Sequence, residues 1–201
     1  MKKGQKLLLF FLVLAALSWG VYECKYRYSI YSDRRDRPWA YSDDVNAKLL
    51  LGTWQGQFRD PDGVSKTIRL TIVEPVTDEE RAKKAARRRR KGLGSREDKR
   101  HFDGSAMVTS KLGTEAYELN GWVAEEDWHQ LSKVHFQVAD EAKRLRKNFG
   151  LGQGEGGRCQ GDDLTLTLNF GYTTASGSGY SDSADPRYER KVPVRFSRVT
   201  P

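Results

Sequence analysis

Hydrophobic and polar residues alternate with a period of two over much of the chain after residue 50. Trp54 and Phe58 share one side of a first predicted strand, and Ile68 and Leu70 share one side of a second. Between them, "PDG" at 61–63 combines a proline, which fixes φ, with a glycine, which accepts positive φ, as tight turns require. The two segments are therefore predicted to form a β-hairpin.

Further segments with the same alternation bring the number of predicted strands to seven: 102–110, 116–125, 132–140, 163–172 and 191–199. Short strands that follow one another along the chain, separated by turn residues, are typical of an antiparallel meander that curls into a barrel or sandwich. We therefore expect a mainly β domain over residues 43–201, an antiparallel meander that closes into a small barrel.

Other segments interrupt this pattern. Strong helix formers predict short helices at 43–51, 78–92 and 139–150. Glycine and serine dominate 150–157 ("GLGQGEGG") and 173–186, which we interpret as flexible loops. The barrel should thus carry one or two short helical inserts besides an N-terminal apolar helix.

The first 23 residues have the layout of an export signal. Lysines at positions 2, 3 and 6 precede an uncharged apolar run from Leu7 to Tyr22, as in the n- and h-regions of a signal peptide. Its sixteen residues fall short of the ~20 that span a bilayer, but flanking aromatic residues could extend it as an interfacial belt. A cleaved signal and an uncleaved anchor that contacts the membrane through residues 7–22 both remain open, and residues 24–42 are predicted as a polar juxtamembrane linker.

The orientation follows from the basic residues on either side of the apolar run. The three N-terminal lysines favour an N-terminus inside the cell, whereas five basic residues between 25 and 37 favour the opposite. We expect the domain outside the cytoplasm, held at the cell membrane if the segment is retained and secreted or periplasmic if it is cleaved.

The net charge of +8 is concentrated in two segments. Residues 1–37 carry +5 and residues 81–100 carry +9, so the remaining chain is acidic. A nucleic-acid-binding domain would spread basic residues over its folded surface, so nucleic acid is not an expected partner. A basic insert at 76–100 contains a run of five consecutive basic residues: Arg87, Arg88, Arg89, Arg90 and Lys91. This run could bind a polyanion, an envelope polymer or anionic lipid. The alternative is a solvated loop without a partner.

Sequence patterns for catalysis or metal binding are weak. Nothing in the spacing of His101, His129 and His135 forces them to converge on a metal ion, and neither a Gly-X-Ser-X-Gly elbow nor a Gly-Lys-Ser/Thr phosphate loop occurs. We predict no enzyme, no metal and no cofactor. Cys24 and Cys159 could form a disulfide in an oxidising compartment or remain two thiols.

The segment Gly52-Thr53-Trp54, at the start of the first strand, resembles the Gly-X-Trp pattern of lipocalins and the wider calycins. In that family the tryptophan lies across the closed end of the barrel and an arginine on the last strand packs over it. The resemblance implies a barrel-closing pair of Trp54 with Arg198, or with Arg195, and a cup for a small apolar molecule. Trp54 could equally be an ordinary core residue of a β domain without a ligand.

We therefore expect an exported or membrane-anchored, non-catalytic binding domain that holds a small apolar ligand or an envelope partner. The aromatic residues expected to contact such a ligand are Trp54, Phe58, Trp122 and Phe170. The alternative is a membrane-tethered protein that binds polyanions or anionic lipid through residues 81–100.

Overall fold

The chain folds into a helical unit and a β-barrel unit. The computed structural model describes residues 3–86, 98–145, 149–173, 179–180 and 191–199. The helical unit combines Met1–Arg37 with Val76–Glu97, and the barrel unit combines Pro38–Pro75 with Asp98–Pro201. The segment 76–97 is thus inserted in the sequence between two strands of the barrel.

One long helix, α1 (Lys3–Asp36), forms most of the helical unit. It continues through most of the segment that the sequence predicted as a polar linker, because no glycine or proline interrupts residues 21–37. An ion pair between Arg27 and Glu23, 2.8 Å long, joins two successive turns. The helix ends just before Pro38, which disfavours helical backbone in the residue that precedes it. By length and composition, α1 could be a membrane span or a signal peptide.

The second helix, α2 (Asp78–Ala86), begins where the sequence predicted a helix. Thr77 and Glu80 form a reciprocal capping box, in which each backbone N–H donates to the other's side chain at 3.3 Å. The predicted helix extended to residue 92, but residues 87–97 lie outside the described part of the chain, and with them the run Arg87, Arg88, Arg89, Arg90 and Lys91.

A buried cluster of charges holds α2 against α1. The Asp33 carboxylate of α1 accepts from Arg37 at 2.6 Å and from Arg81 of α2 at 3.2 Å, and all three residues are at most 4% exposed. A second bond, from Arg81 to Asp78, is 2.6 Å long. Charges out of water are tolerated when they are paired in this way, so the cluster fixes where α2 starts along α1.

The barrel unit has nine strands: β1 (Gly52–Arg59), β2 (Ser65–Ile72), β3 (His101–Ser110), β4 (Gly113–Val123), β5 (Gln130–Val138), β6 (Phe149–Gln160), β7 (Asp163–Thr173), β8 (Gly179–Tyr180) and β9 (Val192–Arg198). From β1 to β7 each strand pairs antiparallel with the next, and β9 pairs with both β7 and β1. Eight strands therefore form a closed antiparallel barrel, which confirms the predicted fold class, while the short β8 pairs with β7.

Strand β6 was not predicted, because its sequence is the glycine-rich stretch that we interpreted as a loop. Glycine is required at Gly154, where a Cβ atom would lie 2.6 Å from the Leu166 side chain of β7. In an eight-stranded barrel the interior is narrow, and small residues beside large ones let the side chains fit. The absence of hydrophobic alternation in β6 therefore reflects packing, not flexibility.

Two predicted helices are wrong. Residues 43–51 form turns, because the Asp44 side chain accepts from the Asn46 backbone at 2.9 Å and Leu50 donates to the Trp39 carbonyl at 2.9 Å. Within 139–150, the described residues contain only a short 3₁₀ helix, Glu141–Lys143, before β6 begins. In both segments local side-chain bonds and strand pairing outweigh helix propensity.

Candidate functional site: the two ends of the barrel

Trp54 lies near one end of the barrel, at the start of β1. The Trp54 side chain is fully buried, and its indole N–H donates to the Leu50 carbonyl at 3.0 Å. The guanidinium carbon of Arg198 lies 4.1 Å from the centre of the Trp54 ring system, within the range of a cation–π interaction, which contributes roughly 0.5–2 kcal/mol. The two residues face each other directly in the pairing of β1 with β9.

Arg198 also holds the segment that leads into β1. It donates to the carbonyls of Leu49 at 2.5 Å and Leu51 at 2.7 Å, and to the Asp162 carboxylate at 3.2 Å. These bonds satisfy carbonyls of the segment that crosses the end of the barrel just before β1 begins.

Two structural features of this chain explain why position 52 is a glycine. Gly52 has φ of +116°, which side-chain-bearing residues rarely adopt, and a Cβ atom there would lie 3.1 Å from Arg198. Gly52, Trp54 and Arg198 thus lie together at this end, and the barrel-closing role of the pair stays a prediction.

Between its two ends the barrel is filled with hydrophobic side chains. All eight barrel strands contribute to one buried core, in which Leu164, Leu168 and Phe196 are fully excluded from solvent. Cys159 belongs to this core, and burial raises the pKa of its thiol to about 11. Both cysteines are free thiols and Cys24 is exposed, so the disulfide considered from the sequence is not formed.

The opposite end is different, because it buries charges. In the described part of the barrel unit the buried charged residues are Asp60, Lys66 and Glu115. Lys66 directly faces Phe58 near the turn that joins β1 to β2, and Glu115 follows the turn that joins β3 to β4. In an up-and-down barrel these two turns lie at the same end, here the end away from Trp54. We call this end the mouth.

Aromatic and charged groups both occur at the mouth. The rings of Phe58 and Phe170 have their centres 5.9 Å apart. The ammonium of Lys66 lies 3.4 Å from the Asp60 carboxylate, with both side chains less than a tenth exposed. A cavity of about 350 Å³ opens at the rim of this hairpin and is lined by Phe58 and Lys66, among others.

A second buried polar pair lies on β4. The Tyr117 hydroxyl donates to the Glu115 carboxylate at 3.1 Å, and the Leu145 backbone N–H donates to the same carboxylate at 2.9 Å. Burial, and after it the adjacent Glu115 charge, raises the pKa of Tyr117 well above its usual range. At neutral pH Tyr117 therefore remains a hydrogen-bond donor inside the barrel.

The positions of Lys66 and Glu115 in their strands already indicate burial in the sequence. Lys66 is in phase with the buried Ile68 and Leu70 on β2, and Glu115 is in phase with the buried Tyr117 and Leu119 on β4. A charged residue at an inward position of a strand is expected to be paired with an opposite charge, because charged side chains are rarely buried without a partner.

Of the four aromatic residues expected to contact a ligand, Phe58 and Phe170 lie together at the mouth, whereas Trp54 lies at the other end and Trp122 points outward. On β4 the side chains of Leu119 and Val123 point inward, so Trp122 lies on the outer face. There its ring packs between His101, at 5.0 Å, and His135, at 5.7 Å. Within the described residues, no group of three or more His, Cys, Asp or Glu side chains could hold a metal ion.

Comparison with known proteins gives no family. No protein-family model matches the chain, and no curated protein matches it. Among solved structures it is similar to a de novo designed fluorescence-activating β-barrel, with 14% identity, 74% of this chain and 93% of that chain covered, and a TM-score of 0.38.

Two further solved structures are similar to this chain. One is the redesigned β-barrel mFAP0 bound to DFHBI, with 14% identity, 74% and 98% of the two chains covered, and a TM-score of 0.40. The other is EF1p2_mFAP2b bound to DFHBI, with 13% identity, 75% and 94% covered, and a TM-score of 0.42. At these identities and TM-scores, the three structures carry no argument about what this chain binds.

Proposed function

We propose that this protein is a membrane-anchored, non-catalytic binding protein whose barrel holds a small, mainly apolar molecule at the mouth. The observation that carries the proposal is the asymmetry of the barrel: the Arg198 guanidinium packs over the buried Trp54 near one end, while buried charges lie beside aromatic rings at the other. Burying ionic groups costs desolvation energy. Ligand sites commonly combine such groups with an apolar lining.

The residues at the mouth favour a ligand with an apolar body and one acceptor or anionic group. Phe58 gives the cavity an aromatic wall, and the volume of about 350 Å³ is near the lower end of ligand pockets, roughly 300–1,000 Å³. The Lys66 ammonium lines the cavity and has the charge that complements a ligand carboxylate. A small carboxylic acid with an apolar chain fits this description.

The continuity of α1 supports an anchor over a cleaved signal. The helix runs without interruption from the apolar run 7–22 to Asp36, and its last turns are fixed to α2 by the buried Asp33 cluster. With the N-terminal lysines inside the cell, the barrel lies outside the cytoplasm. Binding of polyanions through residues 81–100 stays the second prediction, since most of that segment lies outside the described residues.

A photolabel tests the ligand site directly. We would incubate the full chain in mild detergent with a diazirine-bearing dodecanoic acid, irradiate it, and map the labelled peptides by mass spectrometry. The expected label lies on residues 57–67 and is displaced by excess unlabelled dodecanoic acid. Lys66→Gln should reduce that label about tenfold, as the loss of one charged hydrogen bond predicts.

Lys133→Gln is the matched control, because Lys133 is an exposed lysine on β5 and its loss removes the same charge. Circular dichroism verifies that both variants keep the barrel fold. Label confined to α1, or equal labelling of residues 57–67 in the Lys66 and Lys133 variants, would refute binding at the mouth.

A further inference from the structure

A groove in the helical unit has a polarity gradient along α1. Its volume is about 560 Å³, and its lining includes Leu14, Leu17 and Val21 followed by Lys25. Successive members of this set are three or four residues apart, so they form one stripe on the helix. The stripe is apolar over the part nearer the N-terminus of α1 and cationic at its other end.

The C-terminal end of α2 provides the second wall of this groove. Ala85 and Ala86 line it beside the α1 stripe. The bond from Arg81 to Asp33 sets the start of α2, and one turn later the small alanine side chains leave space against α1. The groove is therefore built by the packing of two helices, not by a single exposed helix face.

The charges around the groove favour an anionic occupant. Lys25 lines the groove and is exposed, whereas the carboxylate two residues before it is engaged, since Glu23 pairs with Arg27 at 2.8 Å. An ammonium at the end of an apolar groove is complementary to a molecule with a negative head and an apolar chain.

We infer that this groove binds a phospholipid with an anionic head group from the membrane that holds α1. Its acyl chain lies along Leu14, Leu17 and Val21, and its phosphate pairs with Lys25. The inference rests on the proposed function only in requiring that α1 inserts into a membrane. It assigns lipid recognition to the two-helix unit and leaves the barrel mouth to a different ligand.

The test measures which lipid the full chain retains. We would purify it in mild detergent containing equal amounts of phosphatidylglycerol and phosphatidylcholine and count bound lipids by native mass spectrometry. The wild-type chain should retain phosphatidylglycerol about fivefold over phosphatidylcholine, as one lysine near a head group predicts. Lys25→Gln should bring the ratio close to one.

Two further variants separate the groove from general charge. Ala86→Trp keeps every charge but fills the groove, and should remove the retained lipid of both kinds. Lys111→Gln removes a charge in the turn between β3 and β4 and should leave the ratio unchanged. Equal retention of the two lipids by the wild-type chain, or unchanged retention in both Lys25→Gln and Ala86→Trp, would overturn the inference while α1 remains an anchor. Recovery of the chain from the soluble fraction without detergent would instead overturn the anchor and the inference together.

Discussion

Replacing Arg198 with alanine tests which contacts stabilise the end of the barrel that contains Trp54. The substitution removes the cation over Trp54 and the donors to the Leu49 and Leu51 carbonyls. Arg198 is the last residue of β9, so no later residue of that strand can replace these contacts. The free energy of unfolding should therefore fall without a change of fold.

The size of the loss follows from the contacts. The cation–π interaction contributes roughly 0.5–2 kcal/mol, and hydrogen bonds from a charged donor roughly 1.5–3 kcal/mol each when buried. Arg198 keeps 21% of its side chain exposed, so water can replace part of the two carbonyl bonds. We expect a loss of about 3 kcal/mol for Arg198→Ala, and about half of that for Arg198→Lys, which keeps the charge but cannot bind two carbonyls as a fork.

The assay is urea unfolding of the full chain in mild detergent, followed by near-ultraviolet circular dichroism, which reports the packing of buried aromatic rings. Arg195→Ala is the matched control, since Arg195 lies three residues earlier on the outward face of β9 and pairs only with exposed Asp163 among the described contacts. Its unfolding midpoint should stay within error of the wild type.

Two results would refute this reasoning. If Arg198→Ala lowered the free energy of unfolding by less than about 1 kcal/mol, the contacts would be present without stabilising the barrel. If Arg198→Lys matched the wild type, the charge alone would suffice and the fork to the two carbonyls would contribute nothing.

Two further predictions concern the core and the helical unit. Burial raises the pKa of the Cys159 thiol from 9.0 to about 11, so the stability that this thiol contributes is complete below pH 9 and is lost as the pH rises towards 11, by up to roughly 2 kcal/mol. Urea unfolding across this pH range should show a smaller loss of stability for Cys159→Ala than for the wild type. An equal loss in the two proteins would contradict the assignment to Cys159. Asp33→Asn leaves Arg37 and Arg81 without their shared buried carboxylate. Because this loss costs roughly 3 kcal/mol, the backbone amides of α2 should exchange hydrogen at least tenfold faster. Glu23→Gln, which breaks an exposed ion pair, is the control, and unchanged exchange in Asp33→Asn would contradict the role of the cluster.

The strands that could be predicted from the sequence are those in which apolar and polar residues alternate, so that one face of the strand is apolar. Leu164, Leu166 and Leu168 alternate with polar residues, and all three are buried in β7. The partner strand β6 carries glycine where such residues would stand, because Gly154 must make room for Leu166. A pattern that records only hydrophobic side chains cannot detect a strand whose inward positions are small.

The contact between Trp54 and Arg198 could be predicted from the sequence, and the mouth could not. The resemblance of Gly52-Thr53-Trp54 to a known pattern named Arg198 as one of two possible partners far along the chain, and Arg198 makes the contact. The mouth depends on the register between hairpins, which places Lys66 and Glu115 at one end. Trp122 lies on the outer face because its neighbour Gly121 points inward against Phe102.

The position of β9 in the sheet also sets an order of events during synthesis. Arg198 contacts Leu51 across 147 residues of chain, and β9 is inserted between β1 and β7. A ribosome delivers β1 first and β9 last, so both neighbouring strands keep an open edge until nearly the whole domain has emerged. By then the apolar helix α1 has long left the ribosome. The barrel therefore closes only after α1 has emerged, and an agent that shields strand edges would act in the interval before β9 arrives.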